Sequence, residues 1–165
     1  GYQAPDRAYC LGLFHNCGVP LLFRAHENYQ AVLEESYAQP NPRVIDRENQ
    51  YLKTNHAVVG YFVAKSWSLP PDLCEAIAEH HSVENIFRHR AQSYDHGRKT
   101  LLAILKMAEH ICRVHLTLGN HGEDYEWQAI GPDLLAYVGL SELDFDDLTA
   151  QVESIGITGT GYYDH

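Results

Sequence analysis

Eleven of the 165 residues are histidine, nearly as many as the twelve lysines and arginines together. His15 precedes Asn16 and Cys17, His80 adjoins His81, and His56 and Glu109 stand on other segments. A chain so rich in imidazole suggests metal chemistry, because neutral imidazole and carboxylate suit Mn, Fe, Ni or Zn. An ion held that way makes its bound water a nucleophile. Two other uses fail on spacing. His15 and Cys17 lie too close together on one helix end to face each other as a nucleophile pair. The acidic run Asp144, Asp146 and Asp147 lacks the spaced oxygen ligands and glycine of a calcium loop and reads as a solvated helix start.

Something must carry these residues, and composition limits what it is. The length fits one domain that buries its own core without disulfides. A formal charge of -10 leaves no cationic surface for phosphate, so nucleic acid is not an expected partner. No apolar run reaches the roughly 20 residues of a membrane helix, and no secretory signal pattern opens the chain. Cys10, Cys17, Cys74 and Cys112 form no CxxC pair or regular framework, so free thiols and a cytoplasmic location are expected.

The apolar spacing is helical nearly throughout, and the expected fold is all-α, a compact multi-helix domain over 5–155 followed by a flexible glycine-rich tail over 156–165. Helices are predicted from about Pro5 to His15, ended by a glycine cap at Gly18; from Pro20 to Ala38; and from Val44 to Leu52. Thr54 or Asn55 caps a fourth, which carries Val58, Val59, Phe62, Val63 and Trp67. Others span Leu73 to His81, Lys99 to Leu118, Pro132 to Val138 and Phe145 to Val152. Ser82 to Gly97 reads as a polar loop with a short helix. Tyr29, Phe62 and Trp67 are expected in the core.

With about 100° per residue, His80 falls roughly 20° from Leu73, in the middle of an apolar face. Glu109 falls about 80° from Leu101, within the buried arc of its helix. His110 falls on the opposite side, near Lys106, and is expected in solvent. His15 shares a face with Ala8, near Gly12, whose small size would admit another helix. Buried imidazoles and carboxylates are costly unless paired or metal-bound, so several turned inward suggest one shared polar pocket. Each histidine taken alone reads more readily as a core residue bonded to a backbone carbonyl or to Glu109 than as a ligand.

Together, LFHNCG at Leu13 to Gly18, NHAVVGYFVAKSWSLP at Asn55 to Pro70, AIAEHH at Ala76 to His81 and ILKMAEHIC at Ile104 to Cys112 resemble the HDOD family. These are the HD-related output domains of bacterial signalling proteins, within the HD superfamily of helical metal-dependent phosphohydrolases. The resemblance covers about Ala8 to Leu118. It implies that His15 matches the histidine of the metal-binding His-Asp pair, that His56 and His80 or His81 match later histidine ligands, and that Glu109 matches a late aspartate. Asn16 stands where the pair's aspartate would be, as in the HN form of the output family. Glu109 is one methylene longer than the residue it replaces, Cys17-Gly18-Val19 lacks the basic residue that usually follows the pair, and the upstream helix with the first histidine ligand is not in this sequence.

The resemblance therefore implies a non-catalytic regulatory domain that binds a protein partner in a signalling pathway, with homo-oligomers open. Its metal site, His15, His56, His80, His81 and Glu109, is expected to be degenerate, with no catalytic residues and no cofactor beyond a weakly bound divalent ion (Mn, Fe, Ni or Zn). The alternative is an active metal-dependent phosphohydrolase, a phosphodiesterase, completed by a ligand from missing sequence or another chain. A metal-storing or structural helical module is the third reading.

Overall fold

The computed structural model describes residues 5–40, 43–88 and 95–156. Among them all regular structure is helical: α1 (Pro5–Phe14), α2 (Val19–Ala25), α3 (Tyr29–Tyr37), α4 (Val44–Leu52), α5 (His56–Ser66), α6 (Pro71–Glu79), α7 (Val83–Arg88), α8 (His96–Ile111), α9 (Val114–Thr117), α10 (Tyr125–Val138) and α11 (Glu142–Ser154). No described helix is long and apolar enough to cross a membrane. The expected tail lies outside the described residues apart from Gly156, as do His89 and His165.

Leu11 of α1, Ala64 of α5, Leu73, Ala76 and Ile77 of α6, Leu101, Leu102 and Leu105 of α8, and Ile130 and Leu134 of α10 form the main core. Val19, Leu22, Tyr29, Leu33, Tyr37 and Val44 make a second cluster from α2, α3 and α4. Ile111, Leu135 and Phe145 make a third, which seats α11. At about 1.5–3 kcal/mol for each fully buried large aliphatic side chain, these clusters supply the main drive for folding.

Several boundaries differ from the periodicity, each for a local reason. The helix predicted over Pro20 to Ala38 is two helices: His26 is extended (φ -136, ψ 114), and Asn28, a residue type that favours caps over helix interiors, precedes α3. The helix predicted over Lys99 to Leu118 breaks after Ile111, where Arg113 is left-handed (φ 53). The helix predicted from Pro132 begins at Tyr125, because Asp124 accepts from the Trp127 N–H at 2.9 Å and caps it. Pro132 therefore sits inside a helix rather than at its start.

Gly18 is not a glycine terminator. Its φ of -74 is ordinary, but a Cβ there would lie 2.1 Å from the His56 carbonyl oxygen, so glycine lets α2 start directly against the first turn of α5. At Gly12, the expected close approach, a Cβ would meet nothing within 4 Å among the described residues. Phe62 and Trp67, expected in the core, are 62% and 67% exposed, whereas Tyr29 is fully buried. Asn55 caps α5 by accepting from the Val58 N–H at 2.9 Å, and Ser141 with Asp144 forms a capping box on α11.

Candidate metal centre

His56 is the first residue of α5, and His80 and His81 follow directly on the last turn of α6. Gly18 under α5 and the tight packing of α5 on α6, where a Cβ at Gly60 would reach 3.0 Å from Ile77, bring these termini together. His56 and His80 are fully buried and His81 is 2% exposed. One ring nitrogen from each of His56, His80 and His81 lies within 4.8 Å of the other two.

The partners of the other ring nitrogens fix the tautomers. His80 Nδ1 lies 2.6 Å from the Ile77 carbonyl oxygen; a carbonyl only accepts, so Nδ1 carries the proton. This bond also satisfies a carbonyl left open at the end of α6. His56 Nδ1 lies 2.8 Å from Glu48 Oε2. That carboxylate also accepts the His56 backbone N–H at 3.0 Å and the Tyr29 hydroxyl, so it acts throughout as an acceptor. His81 Nδ1 donates to Glu126 Oε1 at 2.9 Å. Each Nε2 is then a lone pair turned toward the centre of the cluster.

Two features mark the arrangement as incomplete without a positive charge. His56 Nε2 and His80 Nε2 face each other at 3.3 Å, lone pair to lone pair when both rings are neutral. His81 Nε2 is buried and has no hydrogen-bond partner among the described residues, which is costly in an apolar interior. Burial holds His80 and His81 well below the ordinary imidazole value of 6.5, and Lys106 and the neighbouring imidazoles push them the same way. These rings are neutral near pH 7, the form that ligates a metal.

The donor set therefore fits a divalent ion: His56, His80 and His81 would hold it through Nε2, with Glu48, the Ile77 carbonyl and Glu126 orienting the rings from behind. Such an ion would supply Lewis acidity and lower the pKa of a bound water.

The other two residues of the expected set stand differently. His15 Nδ1 donates to the Gly12 carbonyl oxygen at 2.7 Å, and its Nε2 accepts from the Asn16 amide at 2.9 Å. An aspartate could not make that second bond. Asn16 thus occupies the lone pair that His15 would offer an ion, while its own Oδ1 is buried with no hydrogen-bond partner among the described residues. Glu109 lies with Oε1 3.3 Å from His15 Nε2 and Oε2 2.7 Å from Lys106 Nζ. Burial works against its charge, yet the Lys106 ammonium beside it holds the carboxyl well below the usual range.

Sequence reasoning missed Glu48, Lys106 and Glu126. Glu48 was within reach, since with about 100° per residue it falls between Val44 and Ile45, by the same construction that finds Glu109. Lys106 was assigned to the solvated side of α8 but is 3% exposed, because α10 lies over that side and Glu126 takes its ammonium at 2.7 Å. Glu126 sits in the first turn of α10, upstream of the helix that the spacing predicts from Pro132.

His110, expected in solvent, is half-buried for the same reason. It stacks on Trp127 with centroids 4.5 Å apart and donates from Nδ1 to Asp124 Oδ2 at 2.8 Å. His115 Nδ1 lies 3.4 Å from the same oxygen.

A comparison with family models matches residues 1–83 to the HDOD domain, just over half of the chain and inclusive of His15, Asn16, Glu48, His56, His80 and His81. Neither the curated proteins nor the solved structures contain a match.

Proposed function

The chain belongs to the HDOD domain family, and on that footing we propose that it is a non-catalytic regulatory domain of a bacterial signalling pathway, acting through a protein partner and holding at most one divalent ion. The observation that carries this reading is the closure of the centre to a phosphoester. His56 and His80 have no exposed surface, His81 has 2%, His15 is tied off by Asn16, and the nearest cleft, about 50 Å³ and lined by Tyr37, His81 and Glu126, is small beside the roughly 300 Å³ at which ligand pockets begin. An ion placed there cross-links α5 and the end of α6 and stabilises the fold by mass action.

A protein partner finds apolar surface at Tyr9, Leu13, Phe62 and Trp67, all more than half exposed, with Phe14 packed edge-on against Trp67 at 5.5 Å to join the ends of α1 and α5. Where such side chains adjoin in one patch, they serve as an interaction surface. The test is to purify the chain without a histidine tag, measure bound Mn, Fe, Ni and Zn, and assay hydrolysis of cyclic dinucleotides and a generic phosphodiester with each ion added. The expected result is no more than one ion per chain and no turnover. Turnover that requires the ion and disappears in His80→Ala would overturn the regulatory reading.

A further inference from the structure

Behind His81 lies a second polar group that the histidines do not explain. Lys106 Nζ is 2.7 Å from Glu109 Oε2, 2.7 Å from Glu126 Oε2 and 3.5 Å from His81 Nδ1. Its close partners are therefore two carboxylates, a donor type that a divalent cation collects, while the His81 Nδ1–H beside it is turned to Glu126. The lysine side chain is 3% exposed and that of Glu109 10%. Neither Glu109 oxygen meets hydrogen-bond geometry with a partner among the described residues, and the Lys106 ammonium at 2.7 Å is the charge that offsets this carboxylate in the interior. An uncompensated carboxylate is not tolerated there. Glu109 also reaches toward His15 at 3.3 Å, and the ammonium lies against the outer nitrogen of His81.

We infer that Lys106 is a built-in cation standing in the place of a second metal ion, held by Glu109 and Glu126, and that it limits the centre to a single exchangeable ion. This rests on the reading of His56, His80 and His81 as ligands only for the first ion. The ammonium sets one positive charge against two carboxylates. A divalent ion in its place would neutralise both and could take their oxygens directly. The aliphatic stem of Lys106, packed under α10, fixes the charge where a free ion would exchange with solvent.

The experiment replaces the cation and counts ions. Lys106→Met and Lys106→Ala are purified with the wild type, stripped with chelator and titrated with Mn²⁺, reading stoichiometry by calorimetry and elemental analysis and Tm by calorimetric scan. The wild type is expected to saturate at one ion or fewer. Each variant is expected to bind one ion more than the wild type, to be less stable when stripped, and to gain about 5 °C or more in Tm on saturation beyond the wild-type gain. Lys106→Arg keeps the charge and is expected to gain no ion.

The inference is overturned if the wild type binds two ions. It is equally overturned if both variants bind only as many ions as the wild type, or if both stay unfolded in saturating Mn²⁺ as they do without it. A wild type that binds none while the variants bind one refutes the histidine reading and leaves this one standing.

Discussion

Two groups of histidines in this molecule differ in which nitrogen faces what. In the centre, His56, His80 and His81 turn Nδ1 outward to a carboxylate or carbonyl and direct Nε2 at one another. At the periphery, His110 and His115 both turn Nδ1 toward Asp124 Oδ2, at 2.8 and 3.4 Å, and His110 lies flat on Trp127. Asp124 already caps α10 through the Trp127 N–H, so it is an anchor that two imidazoles share. The lesson is that histidine proximity does not make a ligand site. A site needs each ring's back nitrogen secured elsewhere, so that the front lone pairs are left over and converge.

The largest expected effect breaks this comparison most directly. His56→Ala removes a fully buried ring and leaves the Glu48 carboxylate short of a donor in the interior; it should cost about 3 kcal/mol and abolish ion binding. His115→Ala, at a ring whose Nδ1 has no hydrogen bond, should cost about 1 kcal/mol or less and leave ion binding unchanged. Urea denaturation and metal titration of both variants decide it. Equal losses of stability, or an intact ion site in His56→Ala, would remove the distinction between the two groups.

Acid should separate the groups by pH window. His80 and His81 sit below 6.5 in the fold because of burial, while the unfolded chain binds their protons with a pKa of about 6.5. The unfolded state therefore holds more protons once pH falls under that value, and the ion-free chain loses up to about 1.4 kcal/mol per pH unit for each ring. Above it these rings add no pH dependence. Asp124 behaves otherwise. Burial pushes its carboxyl up, but the hydrogen bonds from His110 and Trp127 bring it below its ordinary value of 3.8, so its contribution is full above that value and lost only as pH falls through the folded pKa. Denaturation free energies measured from pH 8 to pH 3 should decline first between pH 6.5 and 5, and that early decline should vanish in a His80→Gln, His81→Gln double variant. Persistence of the early decline would place the acid-sensitive groups elsewhere.

The centre was more legible in the sequence than the periphery. His80 and Glu109 could be placed inside because each falls among apolar residues of one helix, and the periodicity of α6 and α8 is strong. Glu48 obeys the same rule on α4. Lys106 and His110 could not be placed, because their burial depends on α10 arriving from far along the chain to cover the outer side of α8. The start of α10 was hidden by Pro132, which looks like a helix opening and lies instead within one. The breaks at His26 and Arg113 carry no glycine or proline, so helical spacing read straight through them. Phe62 and Trp67 misled in the other direction, being core residue types left on the surface.

Arg113 offers the smallest test and the one most specific to the periphery. Its left-handed backbone ends α8 and redirects the chain into α9, and that turn is what brings His115 toward Asp124. A side chain in that conformation costs roughly 1–2 kcal/mol relative to glycine, whereas glycine gives back about 0.5–1 kcal/mol through the freer unfolded chain. The contact between Arg113 and Glu153 is 3.3 Å long and about half exposed on both sides, so losing it matters little. Arg113→Gly should therefore raise stability by about 0.5 kcal/mol, the difference between these costs, with ion binding at the centre unchanged. A loss of stability would mean that the arginine side chain, not the backbone turn, holds α9 in place. A change in ion affinity would mean that the two histidine groups are coupled through α8, and the contrast between them would have to be redrawn as one connected network.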